Sequence, residues 1–210
     1  MSGLRRWSSR KIRGDAMNTK IWLAAAVIAL GMSTQGCTLK TQYLRIDPDV
    51  KVKEAQIGGD KTIGLRIADV RADKKLGEVG DPDRKMVDVM VEEDPAPAIY
   101  ERVKQALTKL GFSVQPYSET MDRTLDIKIR TLELQSVKHP MTFDTELRAE
   151  VSAHAAIDNA YYDRQFNVRT HQAGAAPPYE KDSTMLVNTA LSQAFEDLLA
   201  DDELLALLAR

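Results

Sequence analysis

Apolar and polar residues alternate along one long stretch of the chain, from Phe143 to Ile157. Phe143, Thr145, Leu147, Ala149, Val151, Ala153, Ala155 and Ile157 share one face, and Asp144, Glu146, Arg148, Glu150, Ser152 and His154 share the other. A period of two predicts a strand with one buried and one wet face. The same period marks Thr62–Val70 through Ile63, Leu65 and Ile67, and Lys85–Val91 through Val87, Val89 and Val91. With the charged loop holding Gly77, Gly80 and Pro82 between them, these two segments are expected to form a long hairpin. Leu125, Ile127 and Ile129 alternate as well, but the apolar positions then slip to Leu132 and Leu134. Side chains swap faces at each residue, so the slip predicts a bulge or twist near Thr131.

Beyond Ile157, the residues Tyr162, Phe166, Val168 and Thr170 make the apolar set of a further strand, with Asp158-Asn159 as turn chemistry. For the two apolar sets to share a face, paired positions must sum to an odd number. A four-residue loop from Asp158 to Tyr161 satisfies this and sets Val151 opposite Val168, Ala153 opposite Phe166, Glu150 opposite Arg169 and His171 opposite Arg148.

A period near 3.6 replaces alternation in two places. Ile99, Val103, Ala106, Leu107 and Leu110 form one stripe, opened by Asp94 as a cap and Pro95 as first helical residue, with Glu92 and Glu93 at the positive end of the helix dipole, and closed by Gly111. Phe112 and Val114 then begin a short strand. After the loop AGAAPPYEK, a second helix begins near Ser183 and turns Leu186, Ala190, Leu191, Ala194, Leu198 and Leu199 inward. Asp201 caps a last short helix, DELLALLAR, whose four leucines need cover from the domain or from a partner. These elements predict an α+β fold, a two-layer sandwich with a mixed or mainly antiparallel sheet and two main helices on one face.

The first 36 residues read differently. Ile21–Met32 is an uncharged apolar run preceded by Lys20 and followed by the small or polar residues Ser33, Thr34, Gln35 and Gly36, the order of a secretory signal. It is shorter than the roughly 20 apolar residues that a membrane span needs. A leader starting at Met17 has ordinary proportions, and Met17 is read as the start. Cys37 is the one cysteine of the chain. The segment Thr34-Gln35-Gly36-Cys37 resembles a lipoprotein lipobox at Gly36 and Cys37 and departs from it at Thr34 and Gln35. Ordinary signal cleavage would leave an unpaired thiol at the new terminus, an odd count that acylation of Cys37 explains. Cleavage between Gly36 and Cys37, lipidation of Cys37 and a tether over residues 37–60, with Pro48 and Gly58-Gly59 in it, are therefore expected. A single domain over residues 61–210 follows. Diacylglyceryl and amide-linked chains suffice for stable anchoring, and Thr38 in place of Asp favours the outer membrane over the inner one.

Removing the leader takes away six Lys or Arg and one acid. The mature part keeps 23 basic and 30 acidic residues, a net charge of −7 in place of −2. An acidic body of this kind is a poor match for nucleic acid or anionic lipid surfaces, which leaves the acyl chains on Cys37 to hold the membrane.

The leader with Cys37, the segment VKQALTKLGFSVQP at 103–116, the strand TLDIKIRTLEL and the tail VNTALSQAFEDLLADDELLALLAR resemble the YajG-type lipoproteins. That resemblance implies an outer-membrane lipoprotein facing the periplasm. It transfers no activity, cofactor or catalytic residue.

No G-x-S-x-G elbow, H-E-x-x-H helix or zinc-type cysteine spacing occurs. Gly58–Thr62 (GGDKT) lacks the first glycine of a phosphate loop and precedes a strand, so it reads as linker. His139, His154 and His171 read as solvated histidines. Asp81-Pro82-Asp83 and Glu92-Glu93-Asp94 could ligate a divalent cation, but turn formation and helix capping explain both. Tyr161, Tyr162 and Phe166 do not make an aromatic strip, because alternation turns Tyr161 away. The expected role is that of a non-enzymatic interaction or adaptor protein that meets an envelope partner through a sheet edge or the leucine-rich tail. The alternative is a carrier of lipid or peptidoglycan fragments between helices and sheet. A hydrolase would need a constellation of Ser or His with acids that the sequence does not display.

Overall fold

The computed structural model describes residues 40–210, so Gly36, Cys37 and the leader lie outside the described residues. In chain order the elements are β1 (Gln42–Leu44), β2 (Thr62–Asp69), β3 (Lys75–Asp81), β4 (Lys85–Val91), α1 (Ala96–Lys109), β5 (Ser113–Pro116), β6 (Arg123–Lys138), β7 (Phe143–Ile157), β8 (Ala160–Gly174), α2 (Glu180–Leu199) and α3 (Asp202–Leu208).

β6 is the spine of a single mixed sheet. One of its edges pairs antiparallel with β7 along the whole strand, and β8 continues antiparallel beyond β7. Its other edge is shared: β2 runs parallel to the first half, Gly64–Asp69 against Thr124–Ile129, and β3 runs parallel to the second half at Leu134 and Gln135. β5 flanks β2, β4 flanks β3, and β1 flanks β4. The helices cover one face. α1 lies against β2 and β5, α2 against β7 and β8, and the two helices touch. Ala149, Ala153 and Ala155 of β7 and Ala190 and Ala194 of α2 are all buried, and their small side chains bring helix and strand close together. The fold is α+β.

The expected bulge is present: the β6–β7 register shifts between Ile129 and Thr131, which returns Leu132 and Leu134 to the buried face beside Ala149 and Leu147. Gly111 ends α1 with φ 86°, in the left-handed region that favours glycine. α1 begins at Ala96, so Pro95 stands at the N-cap instead of the first helical position, and Asp94 before it accepts the Ala96 amide at 3.0 Å. Asp201 caps α3 by accepting from the Glu203 and Leu204 amides.

Four expectations are corrected. β4 forms its hairpin with β3, not with β2. The segment KLGEVGD alternates poorly, yet it pairs and buries Leu76 and Val79, and β2 runs parallel between β5 and β6. The β7–β8 loop has two residues, because Asp158 adopts φ 50° and a left-handed first position closes a two-residue turn that suits strand twist. The parity is as expected, but the register moves by two: Val151 faces Phe166, Ala153 faces Arg164, Glu150 faces Asn167, and His171 faces Glu146. Arg169 reaches Glu146 at 3.8 Å instead of pairing with Glu150.

The third correction concerns the stretch expected as tether. From Gln42 on it belongs to the fold. Gln42, Leu44, Ile46, Pro48 and Val50 are buried in strict alternation with exposed neighbours. Having left β1, the chain runs across the two main helices. The Asp47 amide donates to Asn188 Oδ1 at 2.8 Å, Arg102 forks onto the Asp47 carboxylate at 2.8 and 2.9 Å, and the Lys51 amide donates to Glu196 at 2.9 Å. Farther on, the Ala55 and Gly58 amides satisfy the last carbonyls of α1. Finally, α2 starts at Glu180 instead of Ser183, and Ser183 is fully buried, its hydroxyl donating to Gln42 Oε1 at 2.7 Å.

Candidate functional site on the open face of the sheet

The register builds the site. Arg66, Asp126, His154 and Asp163 stand on one rung across β2, β6, β7 and β8, and Ala68, Lys128, Ser152 and Gln165 stand on the next rung of that face. Leu65, Leu125, Ala155 and Tyr162 make the rung between turns of the chain on the opposite, helix-covered face. One period of two thus sorts four strands into an apolar layer and a polar platform.

The first rung is paired twice. Arg66 forks onto Asp126 through Nε at 2.8 Å and Nη2 at 2.6 Å, a bidentate geometry that fixes both planes. Lys128 Nζ stands 3.4 Å from the same carboxylate. Asp126 is only 5% exposed although it lies on the open face. Its burial pushes the carboxyl up, but the Arg66 bond and the charges of Arg66 and Lys128 outweigh this and hold it below the ordinary carboxylate value. The Asp126 bond in turn raises the Arg66 guanidinium. Cover comes from the loop after β5. Gly64 has no side chain to obstruct it, and a Cβ there would lie 2.6 Å from Met121 Sδ. The loop therefore closes down and sets the Tyr117 ring 4.3 Å from the Arg66 guanidinium carbon, a cation–π stack.

His154 Nδ1 lies 2.7 Å from Asp163 Oδ1, and Arg130 Nε donates to Ser152 Oγ at 2.8 Å. Together these side chains, with Gln165, line an open concavity of about 820 Å³. Chemically it is a polar platform with a fixed Arg–Asp fork, an aromatic lid and an arginine, Arg130, whose bonded partner is a neutral hydroxyl. Ser152, His154 and Asp163 share the face, but the serine hydroxyl is engaged with Arg130 and has no bond to His154. A nucleophile–base pair is therefore not formed.

The residues singled out from the sequence fall mostly elsewhere. His139 and His171 approach Asp144 at 3.0 and 3.9 Å at the other end of the sheet, apart from His154. Asp81 and Asp83 both bind Lys138 Nζ at 2.7 Å. Among the described residues no group of three His, Cys, Asp or Glu is arranged to hold a metal ion. Tyr161 is exposed while Tyr162 is buried, as alternation requires. Burial pushes the Tyr162 hydroxyl up to about 12, and the nearby Asp201 carboxylate adds to it. GGDKT is tied to the end of α1. The leucine-rich tail needs no partner, because Leu204, Leu205, Leu207 and Leu208 are buried within the domain itself. Arg66, Tyr117, Asp126, Lys128 and Arg130 escaped sequence reasoning. Their one signal was the wet face of β2 and β6, which becomes a site only when four strands are in register.

A family model described as an uncharacterized lipoprotein matches residues 48–209, from the strap after β1 through α3. The chain belongs to the YajG-like family of uncharacterised lipoproteins. No curated protein matches the sequence. Among solved structures, a Xanthomonas campestris protein of the DUF330 family is 13% identical, with 81% of this chain and 97% of that one covered and a TM-score of 0.50, a likeness of fold. A Helicobacter pylori protein described as a neuraminyllactose-binding hemagglutinin homolog is 8% identical over 80% of this chain and 96% of its own, with a TM-score of 0.44. A minor lipoprotein from Acinetobacter baumannii is 10% identical, covered 71% and 92%, with a TM-score of 0.36. The YajG-like family is an envelope lipoprotein family.

Proposed function

We propose that this YajG-like chain is cleaved before Cys37, acylated there, held in the outer membrane facing the periplasm, and that it works without catalysis by docking another envelope protein. Family membership supports the lipoprotein part. One observation carries the docking part: β8 is a 15-residue strand that pairs only with β7, and its outer edge has no backbone partner among the described residues. Such an edge is a ready template for an extended segment of another chain. It borders the polar concavity, while the tail, the other candidate surface, is consumed by the core.

The test is a photocrosslinking residue in living cells, placed at Asn167 on β8 or at Glu101 on the exposed side of α1. A discrete protein adduct from Asn167 and none from Glu101 is expected; no adduct from Asn167 in any growth condition would sink the reading. Fractionation of Cys37→Ala beside wild type tests the anchor separately. The packing gives no support to a carrier of lipid or peptidoglycan fragments between helices and sheet. Leu125, Ile127, Ile129 and Val151 of the sheet and Leu191, Ala194 and Leu198 of α2 are all at 0% exposure, so helix and sheet pack closely. The concavity under Tyr117 favours a polar fragment instead, and equilibrium binding of peptidoglycan muropeptides, compared between wild type and Tyr117→Ala, tests that reading.

A further inference from the structure

The chain enters the described fold at one end of the sheet, and register says which. Gln42 pairs with Val89, Val89 with Gly77 and Gly77 with Leu134, so β1 begins on the rung of Leu134. β1 is parallel to β4, which places its N-terminal side toward the β3–β4 turn and the turn after Lys138. The loop from β8 to α2 comes to the same place, for the Pro178 carbonyl accepts Gln42 Nε2 at 2.8 Å.

This end differs from the rest of an acidic body. It exposes Met141 at 87%, Tyr43 at 56%, and Val137 and Tyr179 at 54% each. The run Gln172–Tyr179 carries no charged side chain. Asp81 and Asp83 are matched by Arg84 and Lys138, which lie within ion-pair range of them. Asp144 stands beside His139, and exposed Glu180 and half-buried Asp182 follow Tyr179, so the end is not free of acids; its flexible methionine and amphipathic tyrosine side chains suit the interface between headgroups and hydrocarbon.

We propose that this end is a lipid-facing surface, laid against the membrane that holds Cys37, with the tip at Met141 and the loop at Tyr179 in the headgroup region. The inference rests on acylation of Cys37. A free tether over residues 37–60 would span up to about 80 Å and leave the domain no preferred end. Because β1 is part of the sheet, Gln42 follows Cys37 by five residue steps, at most about 18 Å of chain. β7 alone is about 48 Å long at its usual rise, so the short leash selects one end of the sheet.

The acylated full chain is reconstituted into phosphatidylcholine–phosphatidylglycerol vesicles that carry a nitroxide on the headgroup. Acylation occupies Cys37, so a dye on Met141→Cys, Tyr179→Cys or Tyr161→Cys reports one position each, and Tyr161 stands in the turn at the far end of β7. Several-fold stronger quenching at Met141 and Tyr179 than at Tyr161 is expected. Chain that floats with the vesicles but is quenched equally at the three positions, or more at Tyr161, overturns this inference and leaves the anchor intact. Failure to float overturns the anchor and the inference together.

Discussion

Replacing Leu44 by Ala distinguishes a segment that hangs from the domain from one that helps to hold it together. Leu44 is fully buried in β1, between β4 and the helix layer, while its neighbour Tyr43 points outward. The substitution removes three carbon groups from the core, about 2.4 kcal/mol at roughly 0.8 kcal/mol each. The space left behind adds a cavity term, which brings the expected loss to about 3 kcal/mol. Tyr43→Ala on the other face should cost less than about 1 kcal/mol, and any substitution in a loose tether should stay within about 0.5 kcal/mol of zero. Urea unfolding of the non-acylated Cys37→Ala protein reads these differences. With a slope near 2 kcal/mol/M, the Leu44→Ala midpoint falls by about 1.5 M. A midpoint within about 0.25 M of the parent, or an equal fall for Tyr43→Ala, would refute the assignment of this segment to the core.

Asp126 should make stability depend on pH. Its carboxyl is held below the ordinary value in the folded chain, so the stabilisation is fully present above the unfolded value of about 3.9 and is lost as pH falls through the lower folded value. Urea midpoints of wild type should therefore drop more steeply below about pH 4.5 than those of Asp126→Asn and converge with them; parallel curves would show that the Arg66 fork contributes nothing. Leu204→Ala in α3 should lose about 2–5 kcal/mol in the same unfolding assay, because the side chain is fully buried; an unchanged midpoint would return the tail to the list of docking surfaces. Lys128→Gln combined with Arg130→Gln should lower the adduct yield at Asn167 while leaving the unfolding midpoint nearly unchanged; an undiminished adduct would separate the polar platform from the β8 edge.

Elements were legible in the sequence wherever a single segment carries its own pattern. β7 has the bounds of its alternation, the slip from Ile129 to Leu132 marks the bulge, and Asp94, Gly111 and Asp201 punctuate the helices as their chemistry requires. Pairings were less legible. Gly77 and Gly80 interrupt the alternation of β3, so the hairpin with β4 was assigned to the more regular β2. Parity alone could not distinguish a two-residue from a four-residue loop at Asp158, since both keep the apolar sets together. The residues from Gln42 to Val50 alternate as cleanly as many strands. Their apolar positions include Gln42 and Pro48, and the buried role of Gln42 depends on Ser183 and Pro178, more than 130 residues away. The polar platform was least legible of all, because a charged residue on a wet strand face carries no mark of its neighbours across the sheet.

The way the molecule divides its charges bears on what the platform can meet. An isolated ion pair as sheltered as Arg66–Asp126 gives little net stability, because desolvating the carboxylate offsets much of its attraction to the guanidinium. Its effect is to fix the guanidinium and the Tyr117 ring in one place. Arg66, Lys128 and Arg130 line a concavity with two carboxylates, Asp126 and Asp163, the second bonded to His154, and its fourth cation, Arg164, is paired with Asp201 and Glu203. Arg130, bonded to the neutral Ser152, has no carboxylate within ion-pair range among the described residues. From residue 37 on the chain carries a net charge of −7, and against that background a concavity with a local positive surplus attracts what the remaining surface repels. A segment that pairs with the outer edge of β8 lies three strand spacings, about 14 Å, from β6, so acidic groups meet Arg130 and Lys128 only from a part of the partner that folds over the platform. A partner of that shape would use sheet edge and platform as one surface, with backbone pairing as the source of affinity and the fixed cations as the source of orientation.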